Sequence, residues 1–251
     1  MAYLFISLKL NYFSMRKSLH KQREMIEKHS RVGALFKEFI LGGQDGLVNV
    51  LGVILGIAIA TSDSKLVIIA GLAAAFAESF SMAAVAYTSA KTEEDYYNSQ
   101  KKQEEYEVKT IPKKEKEEIY DIFYKKGFRG KLLNDIVKHV TSNKKVWIDI
   151  MMADELGLSN EFINPVKSAI VVGLAAILGS FIPLTAFFFM PINSAIIWSL
   201  IISAIALFIT GAVEGKITIG KWFKRGIQLA VIGMVAAGIG FLIGKILGVQ
   251  V

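Results

Sequence analysis

Apolar residues in this chain gather in long runs rather than alternating with polar ones. Five runs stand out, near 41–62, 65–90, 166–190, 194–213 and 227–248. A helix of about 20 apolar residues crosses the hydrocarbon core of a bilayer, so each run predicts a membrane span. The second run is longer, and its helix is expected to project beyond the membrane. Between the second and third runs the pattern changes to charged helices. One continues span two to about Val108. Pro112, suited to a first helical turn, starts another. Gly127 and Gly130 end it, a third runs near Lys131–Val140, and a fourth covers about Val146–Leu156. Before the first span, residues 16–39 read as a basic amphipathic helix on the membrane surface. Its Arg16, Lys17, Lys21, Arg23, Lys28, Arg31 and Lys37 suit anionic membrane lipid. The predicted fold is all-α: a polytopic membrane protein with five transmembrane helices and a cytosolic helical insertion between spans two and three. The expected divisions are 1–40, a basic N-terminal segment; 41–90, spans one and two; 91–165, the insertion; and 166–251, spans three to five.

Composition sharpens this picture. Hydrophobic residues make up 53% and mean hydropathy is +0.45, too apolar for an ordinary soluble domain. The 20% of charged residues crowd into 1–40 and 91–161. Lys and Arg mark the N-terminus, the insertion and the 214–225 loop. The loops at 63–65 and near Pro191 have one Lys and none. The positive-inside rule therefore places the N-terminus and the insertion in the cytosol and the C-terminus outside. Basic cytosolic loops also explain the net charge of +7 more simply than a nucleic-acid partner does. The apolar start of the chain has no leading positive region and no small-residue cleavage site, which disfavours a secretory signal. Cysteine is absent, and His20, His29 and His139 lie outside the apolar runs. Metal chemistry must then use carboxylate, thioether, amide or hydroxyl ligands.

The first run opens on Gly42-Gly43-Gln44-Asp45-Gly46-Leu47-Val48-Asn49. A charge at membrane depth is expensive, roughly 3 kcal/mol or more at a helix centre, and so marks a functional candidate. Asp45 also fits a bland role as a helix cap near the interface. In the second span Glu78 and Met82 are four residues apart and share a helix face. Asp45 and Met82 are nearly equidistant from a hairpin turn at Asp63, which predicts similar depths, with Glu78 roughly 6 Å deeper. Two carboxylates and a thioether make a divalent-cation path that leans towards soft transition metals over Mg2+ and Ca2+. The alternative is that Met82 faces lipid and Glu78 pairs with a polar neighbour. Gly52 and Gly56 are four apart, as are Gly240, Gly244 and Gly248, a spacing that lets helix backbones approach. Whether they pack within one chain or between chains stays open.

In the insertion, Glu104 and Glu107 share a face, as do Glu115 and Glu118. On the last helix, Glu155 follows Met151 by four residues and Met152 by three. Each glutamate pair also fits a solvated face balanced by Lys113 and Lys116, and adjacent methionines also fit core packing.

Three separated motifs, Gly42–Gly52, Ala77–Ala83 and Trp147–Leu158, together resemble the vacuolar iron transporter family, in order and over nearly the whole chain from about residue 35. The resemblance implies a homodimer with a translocation path at its two-fold axis, lined by the first spans. It implies export of Fe2+, and of Mn2+, Co2+ or Zn2+, from the cytosol in exchange for protons. Asp45 and Met82 match the acid and methionine that contact the metal, and Glu78 a nearby pathway acid. The insertion matches a cytosolic metal-binding domain, with ligands at Glu104, Glu107, Glu115, Glu118, Met151, Met152 and Glu155. Glu105 and Glu117 are neighbours that can be confused with these. The long apolar N-terminus departs from the pattern. No prosthetic group and no catalytic residue are expected.

On this reading the insertion collects the ion and presents it to the membrane, where each acid holds either a metal or a proton. The membrane is that of the cell in a prokaryote and of the vacuole in a eukaryote. A membrane-anchored metal-binding receptor or scaffold without transport is the rival class. A ferroxidase is disfavoured, since a carboxylate di-iron site usually adds a Glu-x-x-His pair, which this chain lacks.

Overall fold

The computed structural model describes residues 33–218 and 220–247. Among these, no strand occurs and the fold is built of helices. They are α1 (Gly33–Thr61), α2 (Ser64–Thr110), α3 (Pro112–Lys125), α4 (Gly130–Thr141), α5 (Lys144–Ile150), α6 (Pro165–Phe189), α7 (Ile192–Ile217) and α8 (Trp222–Leu247). A π-helical turn, Met151–Glu155, follows α5. The helices α1, α2, α6, α7 and α8 are long and apolar enough to cross a membrane. The described chain divides into two compact units, one holding residues up to Tyr87 and again from Val166, the other Thr88–Pro165. Of the basic helix expected over 16–39, residues up to 32 lie outside the described residues. Residues 33–39 are the first turns of α1 itself.

In the first unit, α1 and α6 are the most enclosed helices. The buried side chains of α1 are Leu47, Val50, Leu51, Ile54, Leu55 and Ala58. Their three- and four-residue spacing makes a stripe that packs on its neighbours. Between apolar helices in lipid, association rests on van der Waals fit, so small residues decide which faces meet. A Cβ on Gly179 of α6 would run into the Gly43 carbonyl of α1, and one on Gly46 into the Ala176 carbonyl. On another side of α1, Gly52 and Gly56 abut Gly240 and Gly244 of α8. This glycine seam therefore packs within the chain; Gly248 lies outside the described residues.

The turn between α1 and α2 is two residues long. Ser62 takes a positive φ of 53°, closing α1 in a left-handed conformation. The Asp63 carboxylate then caps α2, accepting from the Lys65 and Leu66 amides at 2.8 and 3.4 Å.

The second unit holds the far end of α2 and the helices α3–α5. Its core joins Tyr97 and Val108 of α2, Ile119 of α3, Val140 of α4, Trp147 and Ile148 of α5, and Met151 and Met152. Asn143 caps α5 by accepting from the Lys145 and Val146 amides. The helix expected to run unbroken to about Leu156 instead widens. The Leu156 amide reaches back five residues to the Met151 carbonyl at 3.2 Å, and Gly157 ends the turn with φ +65°. Met151 and Met152, which open the wider turn, both lie in this core.

Candidate functional site

Two groups of acids stand out, one in each unit. In the first, Asp45 and Asn49 sit one turn apart on α1, with Glu78 on α2. The Asn49 side-chain amide donates to Glu78 Oε1 at 2.9 Å, and the Asp45 and Glu78 carboxyl groups lie within hydrogen-bonding reach of each other. Asp45, Glu78 and Met82 are all partly exposed at the surface of this unit. Glu78, expected one turn deeper, is the α2 group joined to both Asp45 and Asn49. Met82 follows it by one turn of α2. The Ser79 hydroxyl is spent within its own helix, donating to the Ala75 carbonyl at 2.6 Å, and Ser81 is exposed. Sequence reasoning assigned no role to Asn49; its signal was the four-residue spacing from Asp45. It also passed over Glu38, two turns before Asp45 on the same face of α1. Glu38 Oε1 accepts from the buried Ser168 hydroxyl at 2.7 Å, and its Oε2 is buried without a partner.

The second group is a glutamate cluster. Carboxylate oxygens of Glu104, Glu107 and Glu115 lie within 4.8 Å of one another. The single residue Ile111 between α2 and α3 lets the two i,i+3 pairs meet. Glu118 and Glu155 complete the cluster electrostatically, each acting on both Glu104 and Glu115. Glu115 is 0% exposed and Glu104 5%, and both Glu115 oxygens and Glu104 Oε2 lack a hydrogen-bond partner. Burial, then the neighbouring carboxylates Glu118, Glu104, Glu107 and Glu155, push Glu115 up to about 7. Burial and the fields of Glu155, Glu107 and Glu118 raise Glu104 to about 7, with Lys114 opposing. Glu155, although exposed, is raised by partial desolvation and by Glu118 and Glu107, with Lys114 opposing. Buried acids without donors are costly as anions. They are satisfied by protons or by a cation that accepts several oxygen ligands.

Met151 and Met152 are 0% and 1% exposed in the apolar core, while Glu155 is exposed. Glu105 lies beside Lys101, Lys144 and Lys145, and Glu117 points to solvent. Helical phase thus separates these two from the cluster.

The model of the VIT family matches residues 36–245. The chain belongs to the VIT family. This VIT chain is 32% identical over 222 residues to vacuolar iron transporter 1 of Arabidopsis thaliana, covering 88% of this chain and 89% of that one. It is 34% identical over 224 residues to vacuolar iron transporter 2 of Oryza sativa subsp. japonica, covering 88% and 91%. The vacuolar iron transporter of Plasmodium falciparum (isolate 3D7) is 29% identical over 248 residues, covering 93% and 91%. The family match in this VIT chain takes in both groups of acids.

Proposed function

We propose that this VIT protein is an iron transporter of a membrane, not an enzyme, and that it moves Fe2+ out of the cytosol in exchange for protons. The observation that carries the reading is the Asp45–Glu78 pair, two carboxyl groups within bonding reach on helices apolar enough to span a bilayer. Two such groups in a low dielectric share a proton or a cation rather than stand as two bare anions. Asp45 and Glu78 supply oxygen ligands and Met82 a thioether, which favours Fe2+, Mn2+, Co2+ and Zn2+ over Mg2+ and Ca2+. The named relatives, all vacuolar iron transporters, support iron as the cargo.

The 91–165 insertion is the cytosolic metal-binding domain, and Glu104, Glu107, Glu115, Glu118 and Glu155 are its ligands, with Met151 and Met152 on the closing turn. The lysine-rich loops support a cytosolic N-terminus and insertion. The partly exposed acids of α1 and α2 suit a path completed by a second copy in a homodimer. Coupling follows from competition, because each acid holds a proton or a metal.

The test is uptake into proteoliposomes with an imposed pH gradient, using Fe2+, Mn2+, Co2+, Zn2+, Mg2+ and Ca2+ in turn. The expected result is Fe2+ flux that is driven by the gradient and accompanied by opposite proton movement. Metal-independent proton flux, or no Fe2+ flux at any gradient, would overturn the reading.

A further inference from the structure

Lys114 stands at the glutamate cluster as its one basic partner among the described residues. Its ammonium pairs with Glu118 Oε1 at 3.1 Å from the first turn of α3. Its field acts on Glu118, Glu115 and Glu107, and also on Glu104 and Glu155. One positive charge therefore reaches all five carboxylates. Lys114 itself is open to water, with 67% of its side chain exposed, whereas Glu118 is at 27%. A lysine on a flexible four-carbon stem, one end anchored and the head in solvent, swings out at small cost. Both carboxyl oxygens of Glu115 and Oε2 of Glu104 have no hydrogen-bond donor.

We propose that Lys114 is a built-in counter-ion of the cluster, which neutralises Glu118 when no metal is held and must leave, or be repelled, when a divalent cation enters. It is a positioning residue that sets affinity without touching the metal. The proposal rests on the reading of the cluster as a metal site. A divalent ion entering the glutamates meets the positive charge of Lys114 and must compete with it for Glu118. Both effects weaken binding, and neither depends on which divalent metal is used. The lysine thus holds the cluster to a modest affinity, so that a collected ion is also released.

The test is calorimetric titration of Co2+ into the detergent-solubilised full-length protein. The class of sites that disappears in Glu115→Gln is the cluster's. If Glu115→Gln removes no class of sites, the cluster reading falls and the lysine proposal with it. With that class identified, Lys114→Gln should tighten it about threefold to tenfold, from the loss of one nearby charge and one exposed ion pair. Lys114→Arg, which keeps the charge, and Lys113→Gln, one residue away and outside the cluster, should bind as the parent does. Unchanged or weaker binding by Lys114→Gln overturns the counter-ion role while the metal site stands. So does equal tightening in Lys114→Arg or Lys113→Gln, because the effect would then not be that of this charge at this place.

Discussion

At the residue scale, Glu115 is the most exacting position: fully enclosed, with two carboxyl oxygens that find no donor. Its folded value of about 7 lies above the ordinary 4.5 of a glutamate. The folded chain therefore binds more protons than the unfolded chain between those values. By linkage, the stability Glu115 lends to the metal-free protein is complete at low pH and is lost as pH rises through about 7. Glu104 acts in the same sense. The chelator-treated protein should thus melt at a lower temperature near pH 8 than near pH 6, and Glu115→Gln should flatten that slope. A metal-free protein whose melting temperature rises across this window would contradict the burial of these acids. Much of this site was legible beforehand. The i,i+3 spacing of 104/107 and 115/118 puts each pair on one face, whatever the tertiary fold. What spacing could not supply was that the two faces meet, because that depends on the break at Ile111. Asn49 escaped notice because a lone amide in an apolar run carries no charge to flag it. Glu38 escaped because it fell in a stretch read as a surface helix, where a glutamate needs no partner.

At the element scale, the apolar runs and the turn at Asp63 gave the five long apolar helices. However, α1 is already helical at Gly33, before the apolar run opens, because polar residues can extend a helix past its apolar stretch. The π-helical turn was not legible either, since apolar periodicity over five residues cannot tell a wide turn from an ordinary one. Pairing of helices was half legible. The four-residue glycine spacing announced a close approach but not which helix would approach. Here α8 meets α1, and a Cβ on Gly244 would collide with the Gly56 carbonyl, whereas around Gly238 there is open space. Gly244→Ala should therefore cost about 1–3 kcal/mol through forced separation of the two helices. Gly238→Ala should be neutral, or stabilising by up to about 1 kcal/mol through helix propensity. Thermal unfolding of the two variants in the same detergent compares them directly, and equal melting temperatures would mean that the α1–α8 seam is not as close as described.

At the scale of the whole molecule, two acid groups of different character belong to two separate compact units. The Asp45–Glu78 pair is carried by apolar helices; the glutamate cluster is carried by the charged insertion. If the first is the path and the second a collector, their losses should differ in kind, because a path residue acts on every crossing and a collector acts on supply. Asp45→Ala should abolish Fe2+ uptake into proteoliposomes while leaving a folded protein. Replacing Glu104, Glu107, Glu115 and Glu118 together by glutamine should raise the KM for Fe2+ about tenfold, the equivalent of about 1.4 kcal/mol of binding. Maximal flux should stay within about twofold of the parent, since uniform binding is lost but no step of the crossing is. The distinction is read from initial rates over a range of Fe2+ concentrations at a fixed pH gradient. Loss of maximal flux in the glutamine variant, at any Fe2+ concentration, would make the cluster part of the path itself. Undiminished flux in Asp45→Ala would remove the carboxyl pair from the path and leave the insertion as the site that binds metal without carrying it.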